Sequence, residues 1–184
     1  MGLPFTCIES EADEDFGELS DPCSITKELA VRKVQKAIEK LKSEPLSIQM
    51  QEPPLWVCGA DTLIALDGKI YGKPTDRGDA SLMIRTFAGR THEVISAVAL
   101  YSMKTGKTDC RSVTSAVSFA PLSEKEIEWY LDSGEWQGAA GAYKIQGLAS
   151  CFITGIQGSY SSIVGLPLRE FYVMLKDNGY AYGY

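Results

Sequence analysis

The sequence contains a single histidine, His92, and its five cysteines (Cys7, Cys23, Cys58, Cys110 and Cys151) are scattered, with no Cys-x-x-Cys pair. That argues against a zinc site, and an odd, dispersed cysteine count suggests reduced thiols rather than a disulfide framework. Long apolar runs are missing too: none approaches the ~20 residues of a membrane-spanning helix. The first residues lack the charged-then-apolar order of a secretory leader. These features predict a cytoplasmic protein with no membrane partner. Basic charge is scarce: 18 Lys and Arg against 24 Asp and Glu leave a formal charge of −6. Non-specific binding to nucleic-acid polymers or anionic membranes needs the opposite balance. A nucleotide-sized anion is still compatible, because a few local lysines and a divalent cation can outweigh the global sign. There is no internal repeat and no low-complexity tract.

What remains suits one large domain or two closely packed lobes, since 184 residues with 45% apolar content can bury a real core. Residues 1–8 read as a short strand, followed by an acidic segment in which Glu11, Asp13, Glu14 and Asp15 crowd together. Such a segment is either a solvated loop or a source of one metal-reaching carboxylate. A helix is predicted over residues 22–43, with Asp21 as N-cap and Pro22 in its first turn. Ala30, Val34, Ala37, Ile38 and Leu41 form its apolar stripe, with Lys33 on the border, where a lysine can lay its stem on apolar surface. A polar, Pro-bounded connection spans residues 43–54.

Further on, residues 76–88 read as a second amphipathic helix burying Ala80, Met83, Ile84 and Phe87. Residues 93–101 and 111–119 read as two long strands. Ser123-Glu-Lys-Glu126 is a capping box that starts a helix running to Gly134. The Gly- and Ala-rich residues 138–158 have no clear period, and such a tract is flexible unless its backbone lies against something. Pro167 opens a last helix expected to bury Leu168, Phe171, Tyr172 and Leu175.

The centre of the chain is Cys58-Gly-Ala-Asp-Thr-Leu-Ile-Ala-Leu-Asp-Gly-Lys-Ile-Tyr-Gly-Lys-Pro74. Asp61 ends an apolar run, residues 62–66 are β-prone, and Asp67-Gly68 is a hairpin signal because a type I′ turn needs positive φ at both central residues. The return segment leads to Lys73, so an acid and a lysine are brought toward one mouth. A hard oxygen ligand and a compact cation are what a metal–phosphate site uses. Ordinary turn chemistry would explain the same residues.

Four separated stretches resemble the Maf ("septum formation inhibitor") family of nucleoside triphosphate pyrophosphatases: Gly59-Ala-Asp-Thr62; Gly72-Lys-Pro74; Ser81-Leu-Met83 through Gly89-Arg-Thr-His92 with Ala97-Val98; and Gly141-Ala-Tyr-Lys-Ile-Gln-Gly147 with Gly165-Leu-Pro167. Their order and spacing run from Gly2 to about Asn178. The resemblance implies a single α/β domain over residues 1–184, three-layered, with a long, twisted, mixed sheet, a cleft between two lobes and a frayed tail at 180–184. It implies hydrolysis of a nucleoside triphosphate between the α and β phosphates with a divalent cation (Mg²⁺, Mn²⁺ or Co²⁺). The Ile145-Gln146-Gly147 version points to the dTTP- and UTP-preferring branch, with a role in cleaning the nucleotide pool and a link to arrest of division.

Carried over by residue, Asp61 matches the family's general base and, with Glu14, its metal-holding carboxylates. Lys33 and Lys73 match phosphate-facing lysines of the catalytic set. Thr62 and Gln146 match positions that influence base choice, and the Gln146 amide can offer donor and acceptor to a uracil or thymine edge. The resemblance does not decide between a monomer and a homodimer.

Members of the family normally begin with a strand and a Ser-x-Ser-Pro-Arg-Arg loop that have no counterpart here. Either the sequence starts past that loop, the preferred expectation, or the protein is naturally short, which leads to a second expectation: a catalytically weak or silent nucleotide-binding protein acting in regulation of division. Gly138-Ala139 stands where relatives carry Asp-Lys, which lowers local charge near the site. Ser161-Ser162-Ile163 stands in place of an Asn-Val-Val-like run, a change expected to affect packing only.

Overall fold

The computed structural model describes residues 2–13, 15, 19–43 and 53–180. Glu14, most of the 43–54 connection and the tail beyond Tyr180 lie outside the described residues. Helix α1 (Pro22–Ser43) starts as its sequence predicts: the Asp21 carboxylate accepts the Ser24 N–H at 2.8 Å and the Ser24 hydroxyl at 2.7 Å. Its buried stripe is Ile25, Leu29, Ala30, Val34 and Ala37. Strand β1 (Trp56–Leu66) runs unbroken through Asp61, so this acid lies within a strand and not at the end of an apolar run. Asp67 and Gly68 have φ of 52° and 75°, the two positive values a type I′ turn requires, and lead into β2 (Lys69–Tyr71).

Helix α2 (Arg77–Phe87) is capped by Asp76 and buries the four apolar residues its period predicts. Strands β3 (Thr91–Ser102) and β4 (Thr108–Phe119) follow, then α3 (Glu124–Asp132) behind a complete Ser123/Glu126 capping box. The tract without period resolves into 3₁₀ turns at Ala140–Ala142 and Leu148–Phe152 and a fifth strand, β5 (Ile153–Gln157). Helices α4 (Tyr160–Val164) and α5 (Leu168–Asp177) close the chain. In α5 the buried pair is Met174 and Leu175, and Leu168 is exposed, so the apolar face is rotated from the expected one.

The five strands form one sheet in the order β2-β1-β3-β4-β5. Every pairing is antiparallel, so a parallel part of the expected mixed sheet is not among the described residues. The expected strand at residues 1–8 forms none among those described: Pro4 lacks a ladder donor, and Leu3 and Ile8 pack as single side chains against separate clusters.

Period-two alternation sends successive β1 side chains to opposite faces. Val57 and Leu63 pack under α1 with Ala30, Val34, Ile25 and Leu29. Ile64 joins Phe87, Val94, Phe119, Tyr130 and Tyr143 on the other face, beneath α2, α3 and the 3₁₀ turns. Helix α5 covers Val98 and Leu100 on that second face. The result is the expected α/β/α arrangement of three layers.

Candidate active site

Asp61 belongs to the α1 face. Its side chain is 8% exposed, and its Oδ1 accepts the Lys33 ammonium at 2.5 Å. Gly59 makes this contact feasible: a Cβ there would stand 2.8 Å from the Ala30 carbonyl oxygen and 3.2 Å from the Lys33 Cβ. Helix α1 therefore lies directly on the β1 backbone, and Lys33 reaches Asp61 along the edge of its apolar stripe. The Lys33 contact fixes the direction of a buried carboxylate.

Thr62, the next residue, faces the other way. It is opposite Ser96 in the β1–β3 register, and the two hydroxyl oxygens are 2.7 Å apart. The Ser96 hydroxyl donates onward to the Ser162 carbonyl at 2.6 Å. Thr62 and Gln146 meet at a cavity of about 200 Å³ walled by Ile64, Val94, Tyr143, Ile145 and Ile163. Sites for drug-sized ligands run to ~300–1,000 Å³, so this one suits a single ring rather than a whole nucleotide. Gly138 and Ala139 contribute wall and no charge, in keeping with the departure noted in the sequence.

The loop carrying Gln146 is held from several sides. The Gly141 N–H bonds the Gly72 carbonyl at 2.8 Å, and a Cβ on Gly141 would collide with Ile64. The Tyr130 hydroxyl donates to the Ala142 carbonyl at 3.1 Å. Both Glu135 carboxylate oxygens accept the Leu148 N–H, at 2.8 and 3.0 Å, and Gly147 leaves the space that carboxylate occupies. The Gly-rich tract is thus packed against neighbouring backbone, one of the two settings such a sequence suits.

The predicted residues fall into two groups. Lys33 and Asp61 meet on one face, Thr62 and Gln146 on the other, and no single described hollow takes in Asp61 and Gln146 together. The edge of β1 joins them. β2 pairs only with residues 64–66, so no described strand lies beside Asp61 and Thr62 on that side. The β1–β2 register ends at Ile64↔Tyr71, and the exposed Lys73 follows two residues later, at a bend. A ligand laid across this edge can touch both faces.

Glu14 lies outside the described residues, and among those described no group of three or more His, Cys, Asp and Glu is gathered for a metal. A larger hollow, about 550 Å³, lies between α1 and Ala12, Asp13 and Asp15, and none of the predicted site residues among the described ones lines it. Sequence reasoning missed Ser96, Ser162 and Glu135. The backbone carbonyl of Ser162 ends the hydroxyl chain from Thr62.

The sequence profile of the Maf-like protein family matches residues 1–178. A protein named dTTP/UTP pyrophosphatase from Symbiobacterium thermophilum is 36% identical over 180 residues, which cover 98% of this chain and 86% of that protein. One of the same name from Shewanella denitrificans is 40% identical over 171 residues, or 93% of this chain and 81% of the relative. A protein named nucleoside triphosphate pyrophosphatase from Xylella fastidiosa is 38% identical over 170 residues, covering 92% and 85%. With a profile match over nearly all of its length and relatives this similar, the chain belongs to the Maf-like protein family.

Proposed function

We propose that this protein hydrolyses dTTP and UTP to the monophosphate and pyrophosphate, removing pyrimidine triphosphates from the cytoplasmic nucleotide pool. The observation that carries the reading is the arrangement on β1: a ring-sized cavity with Thr62 and Gln146 on one face, and the Asp61–Lys33 pair one residue away on the other. The names of the relatives agree with it.

In this reading the base enters the cavity and the triphosphate crosses the β1 edge. Water attacks the α-phosphorus, its proton passes to Asp61, and the bond from that phosphorus to the bridging oxygen breaks as pyrophosphate leaves. Lys33 and Lys73 offset charge on the departing phosphates. Arriving phosphate oxygens compete for the Lys33 ammonium and leave Asp61 Oδ1 able to take a proton.

Asp61, with Glu14, would hold the divalent cation (Mg²⁺, Mn²⁺ or Co²⁺). A buried carboxylate is a suitable hard donor for an ion whose other ligands are phosphate oxygens and waters, and the bound ion would neutralise phosphate charge.

Pyrophosphate release from dTTP and UTP, with each cation, tests the proposal on the full chain and on Asp61→Asn. The expected result is turnover by the native protein and a loss of about 10²–10⁴-fold in the variant. Equal rates would remove Asp61 from its role, and binding of dTTP without product would assign the chain to silent nucleotide binding instead.

A further inference from the structure

We infer that Glu135 is a positioning residue for nucleotide binding: its carboxylate, seated where Gly147 has no side chain, locks the turn that presents Gln146. The inference rests on the proposed reading that Gln146 meets the nucleoside end of a triphosphate.

Residues 144–147 form a tight turn closed by the Gly147 N–H on the Lys144 carbonyl at 3.1 Å, with Gln146 as its third residue. One internal bond fixes the shape of such a turn, and its direction depends on what holds the chain on either side. On the near side the hold is the core. Tyr143 and Ile145 are buried, and the Tyr143 hydroxyl lies 2.8 Å from His92 Nε2. On the far side Leu148 exposes its side chain and is held through its backbone, by the Glu135 carboxylate at 2.8 and 3.0 Å. A carboxylate acceptor gives the stronger class of hydrogen bond.

Glu135 itself stands on a fixed base. Its N–H donates to Ser133 Oγ at 3.2 Å, and the next residue, Trp136, is buried with its indole N–H on the Leu131 carbonyl at 3.0 Å. Gly147 completes the lock: a Cβ there would stand 1.9 Å from Glu135 Oε1 and 2.4 Å from its Cδ. The Gly147 φ of −111° lies outside the left-handed region, so this glycine supplies room and not left-handed backbone. Neither Glu135 nor Gly147 lines the cavity, so both act through the turn. Without the carboxylate, a nucleotide must first order the turn, and the loss falls on binding. Bond breaking is spared, because Asp61 and Lys33 meet on the opposite face of β1.

The test measures kcat and KM for UTP and dTTP with Mg²⁺, and inhibition by UMP and by pyrophosphate. Glu135→Ala and Gly147→Ala are each expected to raise both KM values and the UMP inhibition constant about tenfold, leaving kcat and the pyrophosphate constant within about twofold. Glu135→Gln keeps an acceptor oxygen and is expected to restore most of the affinity. The double variant should bind no more weakly than Glu135→Ala, since the added methyl enters space the carboxylate has left; additive losses would overturn the lock. A folded Glu135→Ala with native KM overturns the inference and leaves the proposed function standing. So does a parallel loss of kcat, UMP and pyrophosphate affinity that Glu135→Gln does not restore, which marks a purely structural role. If Glu135→Ala does not fold, Glu135→Asp, whose carboxylate stops one methylene short, carries the same expectation. A native chain that neither binds nor hydrolyses UTP overturns the proposed function and this inference together.

Discussion

His92 is fully buried against Phe87, Phe119 and Tyr143, with ring centroids 4.4, 5.3 and 5.4 Å from its own. Its Nε2 is 2.8 Å from the Tyr143 hydroxyl, and burial lowers its pKa from 6.5 to about 4. The unfolded chain therefore binds a proton at higher pH than the native one does. The resulting stability is fully present above pH 6.5 and is lost as pH falls toward 4, by roughly 3 kcal/mol. His92→Phe should be less stable at pH 7, because Tyr143 loses its partner, yet flatter between pH 6.5 and 4. Urea midpoints across that range check it, and parallel curves for the two proteins would contradict it. At single positions, side-chain type was informative where it broke a pattern: an acid among apolar residues at Asp61, a lysine bordering a stripe at Lys33. Ser96 broke none. A serine among Val, Ile and Ala reads as filler until the register sets it opposite Thr62.

Helix α1 and strand β1 meet where Gly59 removes a side chain, and the Lys33–Asp61 contact depends on that approach. Gly59→Ala puts a methyl 2.8 Å from a helix carbonyl and 3.0 Å from Val34 Cγ2, so α1 must move outward. The expected cost is about 1–3 kcal/mol, with a further loss of pyrophosphate release as Lys33 withdraws. Urea unfolding and the UTP assay read the two effects separately, and a variant with native stability and rate would show that the close approach is dispensable. Elements with a strong local signal were legible: α1, α2 and α3 through their period and caps, the hairpin through Asp67-Gly68. β5 and the 3₁₀ turns were not, because glycine and alanine carry little period, and their shape comes from Gly72, Tyr130 and Glu135 far away in sequence. Residues 2–8 misled because their apolar composition suggested a strand, whereas Phe5 is largely exposed and only Leu3 and Ile8 are half-buried.

Among the described residues, three layers around one antiparallel sheet give two dissimilar sides, a single long helix over one and four shorter helices over the other. That division was legible as a fold class. The split of the site across it was not, because a motif read as adjacent letters, Asp61-Thr62, suggests adjacent side chains, whereas a strand presents them back to back. Transposing the two letters, by combining Asp61→Thr with Thr62→Asp, leaves mass, net charge and composition untouched. It would set a carboxylate against Ser96 and remove the Lys33–Asp61 contact. Hydrolysis of UTP should vanish and the urea midpoint should fall; full activity in the transposed protein would mean that either order serves. In this strand the meaning of two neighbouring residues is carried by their sequence parity, much as spelling depends on order even when the alphabet is unchanged.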